Sequence, residues 1–152
     1  MTQRLSSRAP QTLANLYELL VGSPERGMVD VSYGMPSAPE QEQVCITGNL
    51  LDMAHEFASQ GALSRDEAFH AELLIYVGRP GDSQQESLER AFEILAWIDV
   101  LVLRPNVTLA RAAGEQGPCL YARISPERTE AGPTDAGYET EIRCIVECVC
   151  RI

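Results

Sequence analysis

The stretch EIRCIVECVCRI, residues 141–152, holds three cysteines within seven residues. It is either a cysteine site or a strand, and the reading of the whole chain turns on which. Ile142, Cys144, Val146, Cys148, Cys150 and Ile152 fall on one side of a period of two, while Glu141, Arg143, Glu147 and Arg151 fall on the other. That alternation is the pattern of a half-buried β-strand. At a rise of ~3.3 Å per residue, Cys144 and Cys148 lie roughly 13 Å apart and Cys148 and Cys150 about 6.6 Å apart. Zinc gathers its sulfurs around one ion at about 2.3 Å, usually from CxxC turns, and neighbours on one strand face do not close an ordinary disulfide. Free cysteine packs as a small hydrophobe. The cysteines are therefore expected in the core; a metal or redox role would have to be shared with Cys45 or Cys119.

At 152 residues the chain is expected to form one domain, with residues 1–9 as a flexible leader. Apolar content of 45% suits a globular chain. No stretch has the length or apolarity of a membrane span or a secretory signal. An odd count of five cysteines, placed unlike a disulfide framework, points to a reducing cytoplasm. The net charge is −10, and all 12 bases are arginine. A GC-rich coding bias explains the missing lysine, and arginine's planar fork also suits interfaces. Such a charge argues against gripping DNA by its phosphates.

Outward from the closing strand, the elements read α–β–β–α–β–α–β–β. PQTLANLYELLVG, residues 10–22, has Leu13, Leu16, Tyr17 and Leu20 at helical spacing. MVDVSYG (28–34) and VCITG (44–48) alternate as strands, and the apolar positions of NLLDMAHEFASQG (49–61) fit a short helix. Phe69, Ala71, Leu73, Ile75 and Val77 share one face of a long strand. Asp82 or Ser83 can then cap a helix whose expected buried stripe is Leu88, Ala91, Phe92, Leu95, Ile98 and Val102, ended by Arg104-Pro105. CLYARIS (119–125) reads as a strand and PERTEAGPTDAG (126–137) as a mobile loop. The expectation is an α+β domain, a mixed and mostly antiparallel sheet with two or three helices on one face.

Catalytic signatures are absent: no phosphate-binding glycine loop, GxSxG, HExxH or CxxC occurs. Asp52 with His55, and His70 with Glu72, could each offer two metal ligands but no third. No cofactor, metal or catalytic residue is expected, and the chain does not read as an enzyme; the rival reading is a small cytoplasmic enzyme using His70, Glu72 and a cysteine.

Several phrases resemble the tail terminator proteins of long-tailed bacteriophages, especially those of actinobacterial hosts. They are VDVSYGMP (29–36), the strand ending in ITG at Gly48, MAHEFASQGALSRDEAFHAELLIYV (53–77) and ESLERAFEILAWIDVLVLRPNVTL (86–109), with Pro105 to Leu109 as its closing phrase. The resemblance runs over residues 10–152. It implies a structural protein of the virion, at the head–tail junction. Six copies would form a ring that caps the finished tail tube, stops its polymerisation and offers a surface to the head–tail connector. DNA would pass the lumen without specific binding, and no membrane or cofactor would be involved. Another neck or head-completion connector, or a minor tail protein of similar fold, is the alternative.

Two polar stretches are candidates for ring or tube contacts. The first is Pro36, Ser37, Ala38, Pro39, Glu40, Gln41, Glu42 and Gln43. The second is Pro126, Glu127, Arg128, Thr129, Glu130, Ala131, Gly132, Pro133, Thr134 and Asp135. Alternation also puts Asp30, His70, Glu72, Glu141, Arg143 and Glu147 on the sheet face away from the helices, together with Asp66 and Arg151. A net acidic face there would suit the wall of a lumen that repels phosphate.

Overall fold

The computed structural model describes residues 7–57, 65–112 and 114–151, without the side chains of residues 55–57 and 65. Strand β5, Tyr138–Arg151, is the one the alternation demands: Ile142, Cys144, Val146, Cys148 and Cys150 are fully buried. All five cysteines of the chain are buried free thiols. β5 lies between β3 (Arg65–Val77) and β4 (Cys119–Pro133), antiparallel to both. β3 pairs antiparallel with β2 (Glu42–Phe57), and β1 (Asp30–Tyr33) runs parallel to β2. The sheet order is β1-β2-β3-β5-β4. This is the α+β class expected, with two α-helices on the face carrying Phe69, Leu73, Ile142 and Cys144.

Helix α1, Ala9–Gly22, buries Leu13, Leu16 and Leu20 in that core, with Pro10 in its first turn. The Arg8 backbone N–H donates to an oxygen of the buried Glu67 side chain at 2.8 Å, which gives a partner to a donor where the helix begins. Ala9 is buried within the helix, although it falls in the expected leader; residues 1–6 of that leader lie outside the described residues.

Helix α2, Gln84–Ala96, starts where Ser83 Oγ accepts the Glu86 N–H at 3.1 Å. It continues as a π-helical segment, Trp97–Leu103, and a 3-10 turn at Arg104–Asn106. Ala91, Leu95, Ile98 and Val102 are buried as expected, but Leu88 and Phe92 are 37% and 41% exposed. Ser87 and Ile94 take their places. The Ser87 hydroxyl bonds the Val77 carbonyl (3.3 Å) and the Thr140 hydroxyl (2.9 Å). Those bonds to the sheet fix the roll of the helix and leave one apolar flank outside.

Two further expectations are corrected. Residues 49–57 are not helical; they continue β2 to Phe57, and residues 58–61 of the expected helix lie outside the described residues. Pairing with β3 slips between Ile46 and Leu50 and again between Leu51 and Ala54, where Gly48 (φ 87°) and Asp52 (φ 53°) adopt left-handed backbone. The first irregularity inserts two extra residues opposite β3 and the second inserts one, so one continuous strand loses its period of two and mimics helical spacing. The stretch 126–137 is likewise no loop. β4 runs through Pro126 to Pro133, and only Thr134, Asp135, Ala136 and Gly137 make the turn to β5. Proline is tolerated because β4 is an edge strand with one ladder only, and Pro126 sits at a bulge.

The roll of α2 makes a testable contrast. Phe69→Ala, at a fully buried position, should cost about 3–5 kcal/mol of stability. Phe92→Ala should cost well under about 1 kcal/mol. Urea unfolding of both variants checks this, and equal losses would contradict the observed roll.

Candidate functional site

The sheet face away from the helices is built as rows of side chains across the strands. One row runs Asp30, Gln43, Tyr76, Glu141 and Glu130; the next runs Ser32, Cys45, Leu74, Arg143 and Arg128. Further along, Leu51, His70, Glu147 and Arg123 stand side by side, with Glu72 between the two levels on β3. Asp30, His70, Glu72, Glu141, Arg143 and Glu147 thus share one face.

Its centre is not a bare acidic wall. Glu72 takes the Arg143 Nε at 2.5 Å and the Asn49 amide at 3.0 Å, and Arg143 also reaches Glu127 at 3.0 Å. Glu147 takes Arg123 and the Tyr121 hydroxyl, both at 3.2 Å. Asp66 pairs with Arg151 at 3.0 Å, and Asp52 lies 3.2 Å from His70 Nδ1. Burial alone would raise the Glu72 carboxyl, but hydrogen bonds from Arg143, Asn49 and Thr47 outweigh it and hold it below the usual range. Arg123 does the same for Glu147. Arg128 and Asp52 were not legible as members of this face because they lie in stretches read as a loop and as a helix. Tyr121 and Arg123 lie in the stretch read as a strand, but its place beside β5 and its bulge after Cys119 set their face.

Acid accumulates instead at the hairpin end. Burial, then the neighbouring Glu130, Glu139 and Glu72 carboxylates, push Glu141 up. The Tyr76 hydroxyl donates to Glu139 at 2.9 Å. Among the described residues of this face, Asp30 and Glu141 carry no ion pair.

The two contact stretches divide. Ser37, Ala38, Pro39, Glu40 and Gln41 are exposed in the link between β1 and β2, with Pro36 half-buried. Glu42 and Gln43 belong to β2. Glu42 faces the helices, where Arg90 of α2 holds it through two bonds and Arg79 lies at 3.8 Å. Gln43 is buried, its amide donating to Ser32 Oγ and its carbonyl accepting the Glu40 N–H, each at 3.2 Å. Neither offers its side chain to a partner. In the second stretch Pro126, Glu127, Arg128, Thr129, Glu130, Ala131, Gly132 and Pro133 form the outer strand, and Thr134 and Asp135 are at its turn.

His70 and Glu72 lie on the outer face, while Cys119, Cys144, Cys148 and Cys150 lie on the helix side. Cys45 shares the outer face, but its thiol donates to the Gly34 carbonyl at 3.3 Å beneath the β1–β2 link. The trio of an enzyme site is thus not brought together with any cysteine of β5. Among the described residues, no three or more His, Cys, Asp or Glu side chains are placed to hold a metal ion. The chain matches no protein-family model and no curated protein sequence. No described helix is long and apolar enough to cross a membrane.

Both ends of the sheet expose large apolar side chains. At the β1 end these are Met28 (94% exposed), Tyr33 and Met35. At the opposite edge are Leu120 and Tyr121 of β4; Leu88 and Phe92 are exposed separately, on the flank of α2 away from Arg90, which points to β2. Exposed apolar clusters of this kind mark contact surfaces more often than solvent surfaces.

The Glu72–Arg143 pair sets a pH dependence. The folded Glu72 carboxyl titrates below its unfolded value, so its contribution is present above the unfolded pKa and is lost as pH falls through the folded one. Arg143→Ala should cost about 1–3 kcal/mol at pH 7 by stranding a largely buried carboxylate. The gap to wild type should narrow steadily below pH ~4.5, the unperturbed value. Glu141→Gln should act oppositely. The folded Glu141 titrates above its unfolded value, so its ionised form weakens the fold; the variant should be the more stable at pH 7, and that gain should vanish at low pH. Denaturant midpoints measured from pH 3 to 8 check both signs.

Proposed function

We propose that this chain is a tail terminator of a long-tailed phage, a structural protein that closes into a ring on the finished tail tube and presents a surface to the head–tail connector. The carrying observation is that both edges of the sheet expose large apolar side chains, Met28, Tyr33 and Met35 at the β1 edge and Leu120 and Tyr121 on β4. Two different patches on opposite ends of a subunit cannot satisfy each other in a two-fold dimer. They fit a head-to-tail contact, which propagates around a ring when the rotation closes. The resemblance in residues 10–152 supplies the expected six-fold closure and the tube partner. In this arrangement the outer face, with Asp30 and Glu141 unpaired, approaches the lumen, where fixed carboxylates let DNA pass without holding it. The exposed link 37–41 is the segment free to meet the tube or the connector.

Light scattering after size exclusion, with negative-stain imaging, tests the reading. A closed ring of about six copies is expected. Met35→Asp and Leu120→Asp should each give monomers, and an equimolar mixture of the two should give a dimer through the one contact left intact. A wild-type protein that stays monomeric at high micromolar concentration, or a mixture that restores nothing, would overturn it. Shortening the link 37–41 should leave the ring but abolish capping of purified tubes.

A further inference from the structure

A second cluster of chemistry lies on the helix side of the sheet, at the start of α1, and does not depend on ring formation. Cys119 of β4 stands directly opposite Cys150 of β5, and their sulfurs are 3.4 Å apart. Directly opposed residues on antiparallel strands have Cα atoms about 4.5–5.5 Å apart, within the span a disulfide bridges. Thr12 Oγ1 gives its proton to the Arg8 carbonyl at 2.7 Å and lies 3.6 Å from both sulfurs; the Cys150 thiol donates to Cys119, leaving the Cys119 proton for Thr12. Cys148 is nearby, but its thiol is turned to the Val146 carbonyl at 3.6 Å.

Cys119 also lines an open cleft of about 220 Å³ whose other walls include Arg8, Gln11, Gln116 and Arg151. Arg151 is engaged by Asp66, whereas among the described residues the Arg8 guanidinium meets only the Gln11 amide oxygen, at 3.5 Å. The cleft is therefore a cationic approach to one thiol of a pre-aligned pair. We propose that Cys119 is a thiol-modification site for anionic low-molecular-weight disulfides, with Cys150 as the resolving thiol. The Cys119 thiolate attacks the disulfide, forming a protein mixed disulfide and releasing one thiolate. Cys150, deprotonated in turn, attacks the Cys119 sulfur and expels the second. The two protein thiols are oxidised, the small disulfide is reduced to two thiols, and two protons pass from the protein to the products. The Cys148 thiol beside it, together with burial, holds Cys119 up at about 12, and the Cys119 thiol and burial raise Cys150 as well, so both thiolates are scarce and the exchange is slow. The finished bridge ties the edge strand β4 to the central strand β5.

Glutathione disulfide, which carries carboxylates, and neutral 2-hydroxyethyl disulfide are the probes, read by intact mass and peptide mapping of the native protein. Wild type with glutathione disulfide should lose two thiols and yield a Cys119–Cys150 cross-linked peptide, with a melting temperature higher by at least about 5 °C. Cys150→Ser should stop at a single glutathionyl adduct on Cys119, and Cys119→Ser should take neither adduct nor bridge. Arg8→Ala should slow the reaction several-fold with glutathione disulfide and leave the rate with the neutral disulfide unchanged. Five unreacted thiols in wild type after prolonged incubation, or a bridge mapped to Cys144 or Cys148, would overturn the site. Equal slowing of both probes in Arg8→Ala would overturn the anionic recognition. The wild-type mapping decides the matter even if a cysteine variant fails to fold.

Discussion

Every other element depends on the two-sidedness of β5. Its inward set, Ile142 to Cys150, meets Ile75, Leu73, Ala71 and Phe69 of β3 on one side and Ala122 and Cys119 of β4 on the other. A slip of one residue in either ladder would drive Arg143 and Glu147 into the core and turn the cysteines to water. α1 and α2 can pack only because this floor is apolar and nearly level. Cysteine suits it, since small thiols leave room for Leu13, Leu16 and Ile94 to lie close above the strands.

What could be read from the sequence follows from how regularly each strand is built. β3 and β5 keep an unbroken ladder of twelve paired positions, so their period of two survives in the residues and puts Asp66, His70, Glu72, Glu141, Arg143, Glu147 and Arg151 on one face. β2 spends its length on two bulges, and its pattern is scrambled where Gly48 and Asp52 turn the chain. β4 carries Pro126, Gly132 and Pro133, which in a central strand would be excluded and at an edge are tolerated. The partners of the outer face, Arg123 with Glu147 and Asp52 with His70, were hidden for the same reason. Edge position and bulge position are tertiary facts, and local residue preference does not encode them.

The arginine-only complement changes how the outer face behaves. A guanidinium offers donors in a plane, so Arg123 bonds both oxygens of Glu147, and Arg143 bridges Glu72 and Glu127 across two strands. A lysine in those places would supply a mobile point charge and leave the carboxylates less firmly held. The face is therefore charged yet internally braced, with its uncompensated acid confined to one row near the β4–β5 turn.

The prolines of β4 have a consequence for the fate of the chain when it is crowded. An exposed edge of fifteen residues is a template on which further chains can stack. Pro126 and Pro133 have no N–H to offer, and the bulge after Pro126 bends the edge away from a flat ladder. An incoming strand can pair only over short pieces, too few to seed a cross-β fibril. The edge that exposes Leu120 and Tyr121 is thereby protected against amyloid-like growth.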